Sequence, residues 1–266
     1  METKLLTQIR AILLDMDGVL YRGDWTLPGA RCFVRTLQDR DIPFILLTNN
    51  STKTPAQYVA RLERMGLQVA PSTILTSAQA TAMYLEKVAP SGTRMYVIGE
   101  RGLRDEIASR GYVIAEDDVA FVVVGMDTHL TFEKLRMAAL AIGSGAIFVG
   151  TNPDRSFPAE EAVTPGTGAI LAAVEAATEV KPTIIGKPQQ AAFDLALEKL
   201  GARREETAMI GDRLETDILG GREAGLLTIL VLTGITSRQD LSESSIKPDL
   251  VFEDLQQLCD AWFGSL

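Results

Sequence analysis

Short aliphatic runs alternate with longer amphipathic stretches along this chain. The first is Ala11-Ile-Leu-Leu, and others follow at Pro43–Leu47, Ala208–Ile210 and Thr228–Leu232. Apolar runs this short and this continuous belong to strands buried on both faces, and helical patterns of roughly 10 to 13 residues between them build β-α units around a parallel sheet. Helix starts carry signals of their own: Thr54 precedes Pro55, Thr131 precedes Phe132–Ile142, and Pro188 precedes Gln189–Leu200. The fold class read from this pattern is α/β.

In an open α/β sheet the functional crevice lies beyond the carboxyl ends of the strands. Four runs end there in polar residues. Ala11–Leu14 leads into Asp15-Met-Asp-Gly, Pro43–Leu47 into Thr48-Asn-Asn, Thr183–Ile185 into Gly186-Lys187-Pro188, and Ala208–Ile210 into Gly211-Asp212 with Asp217 beyond. One rim is expected to carry all four. Between the second and third lie strands and helices enough for a separate unit: Arg94–Ile98, Arg101–Arg110, Ala120–Val124, Phe132–Ile142 and Ala146–Val149. The chain is therefore expected to divide into a core of residues 1–80 and 183–266 and an inserted α/β domain of residues 81–182.

Composition narrows the function. Of 266 residues 46% are apolar and 23% charged, the balance of a folded globular protein. The 26 Lys and Arg against 35 Asp and Glu leave a net charge of −9. That field repels a polyphosphate backbone, so nucleic acid is not an expected partner. No apolar run approaches the roughly 20 residues of a membrane span, and Met1–Arg10 lacks the pattern of a signal peptide, so no membrane partner is expected and the reading is cytoplasmic. Cys32 and Cys259 form no C-x-x-C pair and read as small apolar core residues.

The chemistry lies at the strand ends. Asp15 and Asp17, two residues apart after a buried strand, point to one side as long as the chain stays extended. Two carboxylates in one small space call for a cation or a shared proton. Asp212 and Asp217 would complete an oxygen-only site, which suits Mg²⁺ better than zinc or copper. Gly18 removes a side chain where a ligand must approach the backbone. Thr48 and Asn49 offer neutral donors and Lys187 a cation, the groups that hold the oxygens of a phosphoryl group. Each piece alone is also a common turn or cap; an Asp pair, a Thr, a Lys and a second Asp pair, in that order at four strand ends, is far less common.

This set of motifs resembles the haloacid dehalogenase superfamily, whose four motifs match Asp15-x-Asp17-Gly18, Thr48-Asn49, Lys187 and Gly211-Asp212-x-x-x-x-Asp217. The segments Thr151-Asn-Pro-Asp154, Pro165-Gly-Thr-Gly168 and Ile185-Gly-Lys-Pro188 resemble its subfamily IIA, the nitrophenyl-phosphatase and nucleotide-phosphatase-like branch. The resemblance implies a Rossmann-like core with a large α/β cap and a phosphatase acting on a small-molecule phosphate ester. It further implies Asp15 as nucleophile, forming an aspartyl-phosphate, and Asp17 as general acid and then base. Mg²⁺ would be held by Asp15, the Asp17 main-chain carbonyl and Asp212, with Asp217 behind them. Thr48, the Asn49 backbone and Lys187 would bind the phosphoryl oxygens, beside Gly18. The founding dehalogenases have a single Asp in the first motif, so Asp17 points to phosphate chemistry.

A phosphoacceptor signalling module and a phosphomutase using the same Asp pair stand as alternatives. The order of the motifs and the 102-residue insertion disfavour the first. A homodimer is open to either an enzyme or a module. In the insertion, His129 reads as a loop residue, Arg101 and Arg104 as solvated charges, and Gly166-Thr-Gly168 as a hinge returning the chain to the core. Asp127–His129 and Asn152–Asp154 are the candidates for lining the substrate.

Overall fold

A computed structural model describes residues 5–158 and 163–264. In chain order the strands are β1 (Ala11–Leu14), β2 (Tyr21–Arg22), β3 (Trp25–Thr26), β4 (Phe44–Thr48), β5 (Ile74–Thr76), β6 (Arg94–Ile98), β7 (Val113–Ile114), β8 (Phe121–Val124), β9 (Ile147–Gly150), β10 (Ser156–Pro158), β11 (Val163–Pro165), β12 (Thr183–Ile184), β13 (Thr207–Gly211), β14 (Leu227–Val231) and β15 (Leu250–Phe252). The chain divides into two compact units, one of residues 1–48, 55–75 and 193–266, the other of residues 49–54 and 76–192.

The first unit contains a six-stranded sheet in the order β15-β14-β13-β1-β4-β5. The pairs β1–β13, β1–β4, β13–β14 and β14–β15 are parallel. Every residue of β1 is buried, as expected of an uninterrupted aliphatic run covered on both faces. From β1 the chain first builds outward through β4 and β5, then returns to build β13, β14 and β15 on the other side. The direction reverses between β1 and β13, the place where a Rossmann-like sheet opens a crevice at its carboxyl ends. Register fixes the height of the rim. Leu14 faces Ile210 and Leu46, so Asp15 is level with Gly211 and Leu47, and Asp212 and Thr48 lie one residue further out.

Helix α1 (Ala30–Asp39) packs against the last helix of the chain, Leu255–Phe263, where the Phe33 and Trp262 rings lie 6.3 Å apart. Cys259 is buried beneath this contact, its thiol held up in pKa by burial, in keeping with its reading as a core residue. Fully burying each large side chain of this core contributes about 1.5 to 3 kcal/mol.

The second unit holds a five-stranded sheet in the order β12-β9-β8-β6-β7, with all four pairings parallel. Its central strands are those expected from the sequence of the insertion. Two expectations are corrected here. The run Thr183–Ile185 does not join the first sheet: β12 pairs with β9, Thr183 opposite Val149 and Ile184 opposite Gly150, and Ile184 packs on the apolar cluster of the second unit. A three-residue aliphatic run carries no information about which sheet it extends. Gly166-Thr-Gly168 is not the return hinge either. It starts helix α2 (Thr167–Thr178), whose Ile170, Leu171 and Val174 are buried in the second unit, and the chain passes back to the first unit between Ala192 and Phe193. Among the described residues no helix is long and apolar enough to cross a membrane.

Candidate active site

The centre of the first unit's rim is acidic. The Asp15 N–H donates to the Ile210 carbonyl (2.9 Å), extending the β1–β13 ladder one residue and fixing where its side chain begins. Asp212 follows β13 directly. Asp217 sits in the wide turn Leu214–Ile218, where its Oδ2 accepts the N–H groups of Asp212 (3.2 Å) and Arg213 (3.1 Å). Asp15, Asp212 and Asp217 are all buried, and each offers a carboxylate oxygen within 4.8 Å of the others. At that spacing two full charges repel by about 3 to 4 kcal/mol at an effective dielectric constant near 20. Three such pairs favour a cation among them. An all-oxygen, buried, convergent set fits a hard divalent cation of the Mg²⁺ or Ca²⁺ type.

A loop without a recognised motif closes round Asp212. The Ile235 N–H donates to Asp212 Oδ2 (2.7 Å), Thr236 N–H donates to the Asp212 carbonyl (3.1 Å), and the Thr233 hydroxyl donates to the Gly18 carbonyl (2.7 Å). Arg22 Nη2 holds the same loop through the Thr233 carbonyl (2.7 Å). The signal was present in the sequence: Thr233-Gly-Ile follows the β14 run at the same end of the sheet as the motifs after β1, β4 and β13. The space reserved by Gly18 is also explained. Its φ is +85°, and a Cβ there would lie 2.4 Å from Asp212 Oδ2. The missing side chain makes room for the Asp212 carboxylate.

The two aspartates of the first motif differ in exposure. Asp15 joins the buried triplet, whereas Asp17 is exposed and its Oδ2 accepts the Tyr21 hydroxyl (3.2 Å). The chain turns just beyond, where the Met16 carbonyl accepts the N–H of Leu20 (2.9 Å). Tyr21 and Tyr58 are fully buried, and neither stands out in the sequence. Burial first, and then the charge of Asp17, raise both hydroxyls well above the usual tyrosine range, so both stay protonated. Tyr58 lies beside Thr48, the buried last residue of β4, but its hydroxyl makes no hydrogen bond of standard geometry.

Asn49 and Lys187 belong to the second unit. Asn49 Nδ2 donates to the Lys187 carbonyl (2.9 Å) and to Asp154 Oδ2 (3.1 Å). The Asn49 carbonyl accepts from Asn152 Nδ2 (2.7 Å) and the Ser77 hydroxyl (2.6 Å). Its side chain is thus spent on bracing the Lys187 backbone, and Lys187 is itself buried. Asp127, a candidate substrate contact, has both oxygens occupied, by the His129 N–H of its own loop (2.9 Å) and by the Lys134 ammonium of the following helix (2.7 Å). Arg101 pairs with Asp105 at the surface as a solvated charge, while Arg104 reaches back to the Val97 carbonyl (3.2 Å).

Known proteins match this architecture over nearly its whole length. Residues 12–113 match the haloacid dehalogenase-like hydrolase family and residues 184–258 the HAD-hydrolase-like family. An acid sugar phosphatase of Staphylococcus aureus is 40% identical over 253 residues, 95% of this chain and 97% of that one. The chain belongs to the haloacid dehalogenase-like hydrolases. Its structure is similar to that of a 4-nitrophenylphosphatase from Thermotoga maritima, with a TM-score of 0.93, 39% identity, and 97% of this chain and 99% of that chain covered. It is also similar to a glycerol phosphate phosphatase from Mycobacterium tuberculosis solved in complex with magnesium, with a TM-score of 0.88, 31% identity, and 96% and 77% of the two chains covered. This haloacid dehalogenase-like hydrolase is a phosphatase of the subfamily IIA type. The signalling-module and phosphomutase alternatives fall with that result.

Proposed function

We propose that this phosphatase hydrolyses small phosphate monoesters, sugar phosphates among them, through an aspartyl-phosphate on Asp15 with Mg²⁺ as its cofactor. The observation that carries the reading is the buried triplet of Asp15, Asp212 and Asp217 at the point where the order of strand addition reverses. The names of its relatives, a sugar phosphatase and a glycerol phosphate phosphatase with bound magnesium, support the substrate class and the metal.

On this reading the Asp15 carboxylate attacks phosphorus, and the P–O bond to the leaving alcohol breaks as Asp17 passes it a proton. Asp17 then takes a proton from water, which attacks the same phosphorus and releases Asp15 and inorganic phosphate. The Asp15 carboxylate, the Asp17 main-chain carbonyl and Asp212 would hold the Mg²⁺, whose chemistry is to neutralise charge on the nucleophile and on the phosphoryl oxygens. Asp217 keeps the backbone of Asp212 and Arg213 in place through its two N–H bonds. On the motif match, Thr48, the Asn49 backbone and Lys187 are assigned to the phosphoryl oxygens, with Gly18 giving Asp212 its room.

The test is acid quenching during turnover of a radiolabelled phosphate ester. Wild-type protein should carry acid-stable, hydroxylamine-labile phosphate, and Asp15→Asn should carry none and release none. A panel of sugar phosphates, nucleotides, pyridoxal phosphate, phosphoglycolate and nitrophenyl phosphate scored by phosphate release then defines the substrate class. Turnover by Asp15→Asn at the wild-type rate would refute the mechanism.

A further inference from the structure

Asp17 stands on the exposed side of a turn, where a carboxylate rotates unless something holds it. The structure supplies a holder from the same loop. Tyr21 is four residues on and paired to Asp17 by a β-bridge, with the Gly18 N–H donating to the Tyr21 carbonyl at 2.8 Å. Its ring is fully buried and its hydroxyl donates to Asp17 Oδ2 at 3.2 Å. The ring is covered on one face: the Arg61 guanidinium lies 4.5 Å from the ring centroid and donates to the Gly23 carbonyl (2.7 Å). A buried ring cannot follow its partner out into water, so its hydroxyl defines one place for Oδ2. Burial and the negative charge of Asp17 keep that hydroxyl protonated, hence a donor.

We propose that Tyr21 is a positioning residue for Asp17, fixing one carboxylate oxygen so that the other is presented to the leaving-group oxygen of the ester. The inference rests on the assignment of Asp17 as proton donor to that oxygen. An acid held in one orientation delivers its proton at the moment the P–O bond breaks; one that rotates spends most of its time elsewhere, and misplacement by about 1 Å can cost on the order of 100-fold in rate. The effect is selective in a way that simple structural damage is not. An alkoxide is a strongly basic leaving group and needs the proton, whereas 4-nitrophenolate leaves without it. The value of kcat/KM reports the steps up to phosphoenzyme formation, where this difference is felt.

The experiment compares kcat/KM for glucose 6-phosphate and 4-nitrophenyl phosphate in wild type, Tyr21→Phe and Asp17→Asn. Tyr21→Phe keeps the ring and its Arg61 contact and deletes only the hydroxyl. It should lose about tenfold on the sugar phosphate and less than about twofold on the aryl phosphate, with a larger split in Asp17→Asn, since general-acid catalysis is worth about 100- to 10,000-fold. Because the ratio of the two values is taken on one preparation, it does not depend on how much of the variant is folded. An unchanged ratio in Tyr21→Phe, alongside a raised ratio in Asp17→Asn, would overturn the role of Tyr21 and leave Asp17 in place. An unchanged ratio in Asp17→Asn would overturn the assignment of Asp17, and the proposal for Tyr21 with it.

Discussion

Gly18→Ala places one methyl group against the acidic centre, and the structure gives the size of its effect. The backbone at residue 18 is pinned on both sides, by its N–H to the Tyr21 carbonyl (2.8 Å) and by its carbonyl to the Thr233 hydroxyl (2.7 Å). The new Cβ would lie 2.4 Å from Asp212 Oδ2, where ordinary contact begins at 3.4 Å, so the carboxylate must yield by about 1 Å. That oxygen is the one bonded to the Ile235 N–H at 2.7 Å, and a displacement of this size breaks the bond. Losing a hydrogen bond to a charged group costs about 1.5 to 3 kcal/mol. The left-handed φ of +85° adds about 1 to 2 kcal/mol for a residue with a Cβ. A displaced Asp212 should also weaken Mg²⁺ binding by about 10- to 100-fold, the range seen when the supports of metal ligands are lost. The assay is calorimetric titration of Mg²⁺ into the protein, paired with the Mg²⁺ dependence of 4-nitrophenyl phosphate hydrolysis. Gly23→Ala is the control, because φ is +54° there and nothing lies within 4 Å of the methyl it would add. It should carry the backbone strain and leave metal affinity alone. A Gly18→Ala protein that binds Mg²⁺ within twofold of wild type would refute the argument that this glycine exists to seat Asp212.

Three further outcomes follow from the same geometry. Saturating Mg²⁺, at about 100 times its Kd, should stabilise the folded protein by about 2.7 kcal/mol and raise the thermal midpoint by about 5 °C, an effect that chelator or Asp212→Asn abolishes; an unchanged midpoint in calorimetry would remove the cation from the triplet. Tyr58→Phe deletes a buried hydroxyl without a well-formed hydrogen bond and should stabilise the protein by about 1 kcal/mol in urea unfolding; a loss of that size would show that the hydroxyl is well bonded. Asn152→Ala removes buried Nδ2 donations to the Asn49 carbonyl (2.7 Å) and the Thr167 hydroxyl (3.1 Å) and should cost about 2 to 3 kcal/mol. Its signature is faster amide exchange at the start of α2, and wild-type protection there would contradict it.

What was legible in the sequence and what was not divide along a physical line. The β1 run, with every residue aliphatic, admits one environment, and a buried strand followed at once by Asp15 can place that carboxylate only at the rim; the same holds for β13 and Asp212. Register then follows from parallel pairing, and three of the four expected motifs end on one sheet. The fourth failed because Thr183-Ile-Ile is too short to encode a neighbour: its choice of β9 is made by the packing of Ile184 in the second unit's core, a long-range event with no local trace. Asp17 shows the same limit at the scale of one turn. Its spacing from Asp15 is a fact of the chain, but the spacing does not say that the Asp17 carboxylate is exposed to solvent and meets a buried tyrosine hydroxyl. The residues that decide where the Asp17 carboxylate sits, Tyr21 and behind it Arg61, look in the sequence like an ordinary aromatic and an ordinary surface cation. Their chemistry exists only once the loop after β1 and the helix beginning at Pro55 are packed together, which places the ring under the guanidinium and its hydroxyl against the acid.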